Sequence, residues 1–247
     1  MFWDVAPIPA ERTEAPTVHW TVGDLLWGLF AIVVALVAVI GALIALGRTA
    51  GIGADEAGVP GVLATITFEA LFGGAVLLLA WRRGMHWADL GLVRPVRWGP
   101  AMGAWIGAYA VMLTWGLLLA IATAAGADTA RLPGSNTIPF GVDRSPLLLG
   151  LLAVAVVFVA PLCEELYFRG LWYRGLRAHW RVLPAIFGSA FLFAAFHLNL
   201  SVVLPFMAIG ALFAWTNEQS GSLWTSIAAH VGFNAVSYVL TLAGVGK

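Results

Sequence analysis

Residues 147–177 read LLLGLLAVAVVFVAPLCEELYFRGLWYRGLR. From Leu147 to Cys163 the stretch carries no charge; it then meets Glu164, Glu165 and Arg169 before running out through Arg174 and Arg177. An apolar run of about 18 or more residues can cross a hydrocarbon core roughly 30 Å thick, so this stretch reads as a membrane-spanning helix. Ionisable side chains in such a span are costly unless they face the protein interior or trapped water, which makes them functional candidates. One segment thus sets the solvent and marks the chemistry.

The rest of the chain agrees with the first half of that reading. Of its 247 residues, 61% are apolar and only 11% charged, where a soluble domain has about 25% charged residues. Apolar runs recur near 25–46, 61–81, 99–125, 147–168, 183–198, 200–216 and 222–243. The expected fold is all-α: a polytopic transmembrane bundle of about seven helices, within a range of six to eight, enclosing a polar intramembrane cavity. Residues 1–24 form a polar N-terminal lead without the basic start and cleavage site of a signal peptide. Residues 25–246 form a single transmembrane domain, with the motif-bearing core at 147–243.

Alternating the seven spans across the bilayer puts Arg12, Arg82, Arg83, Arg94, Arg97, Arg169, Arg174, Arg177 and Arg181 on one side. Arg48, Arg131, Arg144 and Lys247 fall on the other. Cytoplasmic segments are enriched in Lys and Arg, so the N-terminus is expected inside and the C-terminus outside. Twelve tryptophans suit interfacial belts. A net charge of zero argues against nucleic acid as a partner. Cys163 is the only cysteine, which excludes an intramolecular disulfide and any multi-cysteine metal site.

Three polar patterns stand in these apolar surroundings: Glu164-Glu165-x-x-x-Arg169, Phe193-x-x-x-His197 and His230-x-x-x-Asn234. A four-residue spacing puts two helical side chains on one face, one turn apart. Glu165 and Arg169 have the favourable order for pairing, and pairing offsets the burial of both charges. Glu164 points about 100° away and stays free for chemistry. If the helix ended at Arg169, Glu164 would lie roughly 8 Å from the cytosolic surface, far from His197 at about 24 Å. A helix continuing to about Arg177 takes Glu164 to roughly 20 Å, near Asn234 at about 18 Å, with His230 at about 12 Å. Pro161 is placed to kink it.

Taken singly, His197 or His230 reads more readily as a core histidine satisfied by a neighbouring helix. Together with a carboxylate pair at compatible depth, the set is far more specific than its parts. At these residues the chain resembles the CPBP intramembrane proteases, the CAAX protease and abortive-infection family. The resemblance covers roughly residues 147–243 and includes Glu164, Glu165, Arg169, Phe193, His197, His230 and Asn234, without departure at any motif position.

The resemblance implies hydrolysis of a peptide bond inside the membrane, with Glu164 and His197 polarising a water molecule. A carboxylate in apolar surroundings is a stronger base toward water than an exposed one. His230 and Asn234 offer donors for the developing oxyanion. Glu165 and Arg169 hold the helix and bias Glu164. The expected partners are the lipid bilayer and a peptide or membrane-protein substrate. C-terminally prenylated CAAX proteins and small secreted peptides are the classes the family suggests. Arginine far outnumbers lysine, as in GC-rich bacterial genes, which favours an unprenylated substrate in a bacterial plasma membrane.

The expected enzyme needs no cofactor. A zinc site, if present, would use Glu164, His197 and His230. The zincin pattern HExxH is absent, and Asn234 is a poor zinc ligand. Cys163 reads as a buried small hydrophobe. Glu69 stands alone in Ile66-Thr67-Phe68-Glu69-Ala70 and needs a partner, either lining the cavity or packed between helices. Gly99, Gly103 and Gly107 suit close internal packing more than dimerisation, and His86 and His179 sit in basic interfacial loops. Two other functions use the same residues: a non-catalytic membrane scaffold or bacteriocin-immunity protein, and a proton-coupled transporter. The transporter lacks the repeat signature of that class.

Overall fold

The structure is a computed structural model and describes residues 20–50, 58–95, 97–129 and 145–244. Among the described residues it holds seven helices and no strand. They are α1 (Val22–Ala50), α2 (Gly58–Arg82), α3 (Gly99–Ala124), α4 (Pro146–Arg177), α5 (Val182–Phe196), α6 (Val203–Ser220) and α7 (Leu223–Leu242). A single 3₁₀ turn, Leu200–Val202, joins α5 to α6. Arg12, Arg131, Arg144 and Lys247 lie outside the described residues, as do most of the expected N-terminal lead and most of the loop before α4.

Five of the helices, α1 to α4 and Leu200–Ser220, are long and apolar enough to cross a membrane. The chain is therefore an integral membrane protein by composition and architecture. Leu113, Leu117, Phe30 and Val37 are among many large apolar side chains left exposed on α1 and α3, which a bilayer covers and water does not.

Helix α1 begins at Val22, inside the expected polar lead. Thr21 and Asp24 explain the start: the Asp24 carboxylate accepts from the Thr21 N–H at 2.8 Å, and the Thr21 hydroxyl accepts from the Asp24 N–H at 3.2 Å. This reciprocal box satisfies donors that the first turn leaves orphaned. Asp24 also pairs with Arg83 at 2.8 Å, tying the start of α1 to the end of α2. At the same end Trp20 donates to the Gly170 carbonyl at 3.0 Å, and the Leu223 N–H donates to the Gly91 carbonyl at 2.7 Å. This end carries Arg82, Arg83, Arg94, Arg97, Arg174, Arg177 and Arg181, with Trp81, Trp87, Trp98 and Trp180 exposed beside them.

Helix α4 runs unbroken from Pro146 to Arg177, the long form that the depth argument requires. Its expected kink at Pro161 takes the form of altered winding, with π-helical turns at Val154–Val159 and Leu166–Tyr173. In the first of these the Ala160 N–H reaches back to the Ala155 carbonyl, five residues away. The next bond in that register would join residue 161 to Val156, and proline has no N–H to make it.

Helix α5 spans 15 residues, about 22 Å, which is short of a hydrocarbon core roughly 30 Å thick. The chain therefore turns at His197 within the depth of the bundle. Irregular backbone at that depth is tolerated where it is buried in protein or lines a wet cavity. Around α4 the core is aromatic: Phe72 meets Tyr167 edge-on at 4.8 Å and Phe196 at 5.7 Å.

Candidate active site

Arg169 organises the centre. It is fully buried and donates to Glu165 Oε1 at 2.7 Å from Nη1 and to the Gly210 carbonyl at 2.9 Å from Nη2. The carbonyl is within reach because Gly210 has no side chain: a Cβ there would stand 3.0 Å from Phe193 Cδ1 and 3.2 Å from Ala190 Cα. The guanidinium lies 4.7 Å from the Phe193 ring centroid and 5.6 Å from that of Phe213. Planar cations bind such ring faces favourably, so Phe193 and Phe213 help to hold a charge that the apolar interior would otherwise reject.

Glu165 Oε1 accepts a second bond, from His230 Nδ1 at 3.0 Å. A carboxylate paired with arginine is an acceptor only, so the Nδ1 nitrogen carries the proton. Ring stacking against Phe213 at 4.8 Å fixes the imidazole plane. His230 Nε2 then faces Glu164, with 3.8 Å between it and Oε2. That is too long for a hydrogen bond and close enough for charge attraction.

The same logic fixes His197. Its Nδ1 lies 2.8 Å from the Phe193 carbonyl, which can only accept, so Nδ1 is protonated and the neutral ring keeps its lone pair at Nε2. Phe206 and Phe193 hold the ring edge-on at 4.5 and 4.9 Å. Asn234 donates from Nδ2 to the Val156 carbonyl at 2.7 Å, the oxygen left without a helical donor by Pro161. Its second N–H is not used in that bond.

These groups meet at a cavity of about 70 Å³ lined by Glu164, Phe193, His197, Phe206, Ile209, Phe213, His230, Phe233 and Asn234. That volume holds a few water molecules. Glu164, His197, His230 and Asn234 thus share one wall of polar groups in an apolar chamber. Glu165 and Arg169 stand behind it. No direct bond joins Glu164 to His197 among the described residues, and the imidazole nearest Glu164 is that of His230.

Several contacts escaped the sequence: the Glu165–His230 bond, the Gly210 carbonyl under Arg169, and the stacking of Phe213. The Asn234–Val156 bond had a readable cue, since Pro161 must orphan a carbonyl about one turn before it. Cys163 lies against α2, with its Sγ 3.0 Å from where a Gly73 Cβ would stand. Glu69 is buried but does not line the cavity. Of the α3 glycines, only Gly107 meets a neighbour, Leu212, while Gly99 and Gly103 face open space. His86 and His179 belong to the basic end.

Glu164, His197 and His230 were the residues considered for zinc. Among the described residues no three His, Cys, Asp or Glu side chains converge as a metal-binding group. The Nδ1 bonds of His230 and His197 leave both Nε2 atoms uncommitted.

Residues 146–236 match the family described as Type II CAAX prenyl endopeptidase Rce1-like, and all the motif positions fall inside the match. The match covers 91 of the 247 residues and makes this stretch similar to the CPBP/CAAX protease family, a family of CAAX-type intramembrane proteases. No curated protein and no solved structure matches it.

Proposed function

We propose that this chain is a CAAX-type protease that hydrolyses peptide bonds of a membrane-embedded or membrane-bound peptide with a water molecule activated by Glu164 and His197. The observation that carries the reading is the placement of Glu164: it lines a water-sized cavity together with His197, and no hydrogen bond among the described residues commits its carboxylate elsewhere. A water in that cavity donates to the Glu164 oxygen that faces it. His197 Nε2, with its lone pair free, accepts the second hydrogen of the same water.

Attack forms a bond from the water oxygen to the carbonyl carbon while the proton passes to Glu164. The carbonyl oxygen takes up the charge. Asn234 offers its second N–H to that oxygen, held in place by the bond to Val156. His230 presents its Nε2 edge to the same chamber, oriented by the Nδ1 bond to Glu165. Breakage of the C–N bond then returns the proton from Glu164 to the leaving amine. Donors fixed in advance in a site closed to bulk water are worth several kcal/mol at this stage.

The basic, tryptophan-ringed end supports a cytoplasmic N-terminus, and substrate is expected to enter from that side. Phe193, Phe206, Ile209, Phe213 and Phe233 give the chamber an apolar wall suited to an apolar side chain next to the scissile bond. A substrate without a prenyl group, in a bacterial plasma membrane, fits this reading.

The test is cleavage by purified protein in lipid vesicles, using membrane-protein peptides with and without a prenylated C-terminus. Cleavage by the wild type, its loss in Glu164→Gln at equal folded protein, and its persistence with a chelator are the expected results. Undiminished cleavage by Glu164→Gln overturns the reading. Loss of cleavage with chelator and its return on adding zinc overturns the metal-free route.

A further inference from the structure

Glu69 has no part in the chemistry above, yet it is a carboxylate placed where the membrane interior penalises it most. On α2 the side chains Glu69, Phe72, Gly73 and Val76 follow the spacing of one helical face, and all four are buried. That face packs on the catalytic segment of α4. At Gly73 the approach is so close that an added Cβ would stand 3.7 Å from the Cys163 backbone, and Glu69 lies one turn away on the same face. Cys163 and Glu164 are consecutive in α4.

Each acid also has an oxygen that nothing satisfies: Glu69 Oε2 and Glu164 Oε2 are both buried without a hydrogen-bond partner. The two side chains extend from turns of α2 and α4 that pack together at Gly73 and Cys163, and two ionised carboxylates sharing a dry interior repel.

From this juxtaposition we propose that Glu69 is a positioning residue, joined to Glu164 by a hydrogen bond from a carboxylic acid to a carboxylate. The bond turns the other Glu164 oxygen toward the cavity. The proposal rests on Glu164 being the base of the reaction. Glu69 touches neither substrate nor water: it stands on the α2 side of Glu164, while the cavity lies toward α5, α6 and α7. The energetic signature is distinctive. Most buried charges in this protein are paired with an opposite charge, as Glu165 is with Arg169, and removing one partner destabilises. Among the described residues no cation pairs with Glu69, so its replacement by an apolar residue relieves a cost.

The experiment compares Glu69→Leu, Glu69→Gln and Glu164→Gln in vesicles, with thermal stability measured on the same preparations. Glu69→Leu is expected to lower kcat about tenfold to a hundredfold, the scale of a misplaced catalytic group, with KM little changed and stability equal or higher. Glu69→Gln keeps a donor N–H and should recover most of kcat. Infrared difference spectra should contain a carboxylic-acid carbonyl band that Glu69→Gln removes and Glu164→Gln shifts. Wild-type kcat in Glu69→Leu beside an inactive Glu164→Gln overturns the role of Glu69 and leaves the protease reading intact. Full activity in Glu164→Gln overturns that reading itself. Loss of stability in both Glu69 variants, with the infrared band unchanged in Glu69→Gln, assigns Glu69 a structural role and overturns the proposal.

Discussion

The two flanks of α4 hold adjacent glutamates in opposite conditions. Toward α6 and α7, Glu165 is bonded by Arg169 and His230, and Arg169 is in turn anchored on the Gly210 carbonyl. Toward α2 and the cavity, Glu164 keeps one oxygen with no partner at all. The two residues differ by one step of helical rotation, about 100°. A carboxylate held by several donors is a strut, and one with an open lone pair is a base; rotation alone separates the uses. The same contrast separates the histidines, since His230 Nδ1 is spent on a carboxylate and His197 Nδ1 on a carbonyl.

Breaking the strut should have the largest effect. Arg169→Met leaves Glu165 buried without its cation, and removing one member of a buried pair costs about 3–5 kcal/mol. Thermal unfolding in detergent should register that loss, together with inactivity. The informative variant is the double change Arg169→Met with Glu165→Met. Replacing a whole buried pair by apolar side chains is often neutral for stability, so the fold should return. Activity should not, because His230 has lost the acceptor that orients it. Recovery of activity in the double variant would show that the strut serves the fold alone.

Much of this contrast was legible in the sequence because it depends on rotation per residue. Glu165 with Arg169, and Glu164 apart from them, follow from the helical period, and the continuation of α4 to Arg177 follows from the depths of His197 and Asn234. The seven helices follow from apolar run lengths. Tertiary bonds were not legible. That His230 reaches Glu165, or Arg169 the Gly210 carbonyl, depends on how closely α5, α6 and α7 pack around α4, and the sequence does not announce approaches such as that of α5 to α6 at Ala190, Phe193 and Gly210. The start of α1 was missed because Thr21 and Asp24 were counted as polar loop residues and not as a capping pair.

A smaller effect tests the link between the winding of α4 and the cavity wall. Pro161→Ala supplies the N–H that Val156 lacks, and the new backbone bond competes with Asn234 for that carbonyl. Losing one hydrogen bond of positioning is worth about 1 kcal/mol, or about fivefold in kcat. Stability should be unchanged or higher, since a proline is removed from a helix interior. A fall in kcat without a fall in melting temperature separates positioning of Asn234 from a packing defect.

The smallest expected effect lies on the α2 flank. Gly73→Ala introduces a Cβ 3.0 Å from Cys163 Sγ, tight enough to push α2 from α4 by a few tenths of an ångström. On the strut side such a shift would be resisted by charge-assisted bonds, which are about twice as strong as neutral ones. On the α2 side no ion pair or hydrogen bond to α4 opposes it among the described residues, so kcat should fall about two- to threefold, less than the effect of one full hydrogen bond, with stability lowered by under about 1 kcal/mol. Cys163→Ala removes the obstructing sulfur, and the double variant Gly73→Ala with Cys163→Ala should regain wild-type kcat. If the single and double variants are equally slow, the spacing of α2 and α4 is not what sets Glu164, and the looser flank is as indifferent to small displacements as the rigid one.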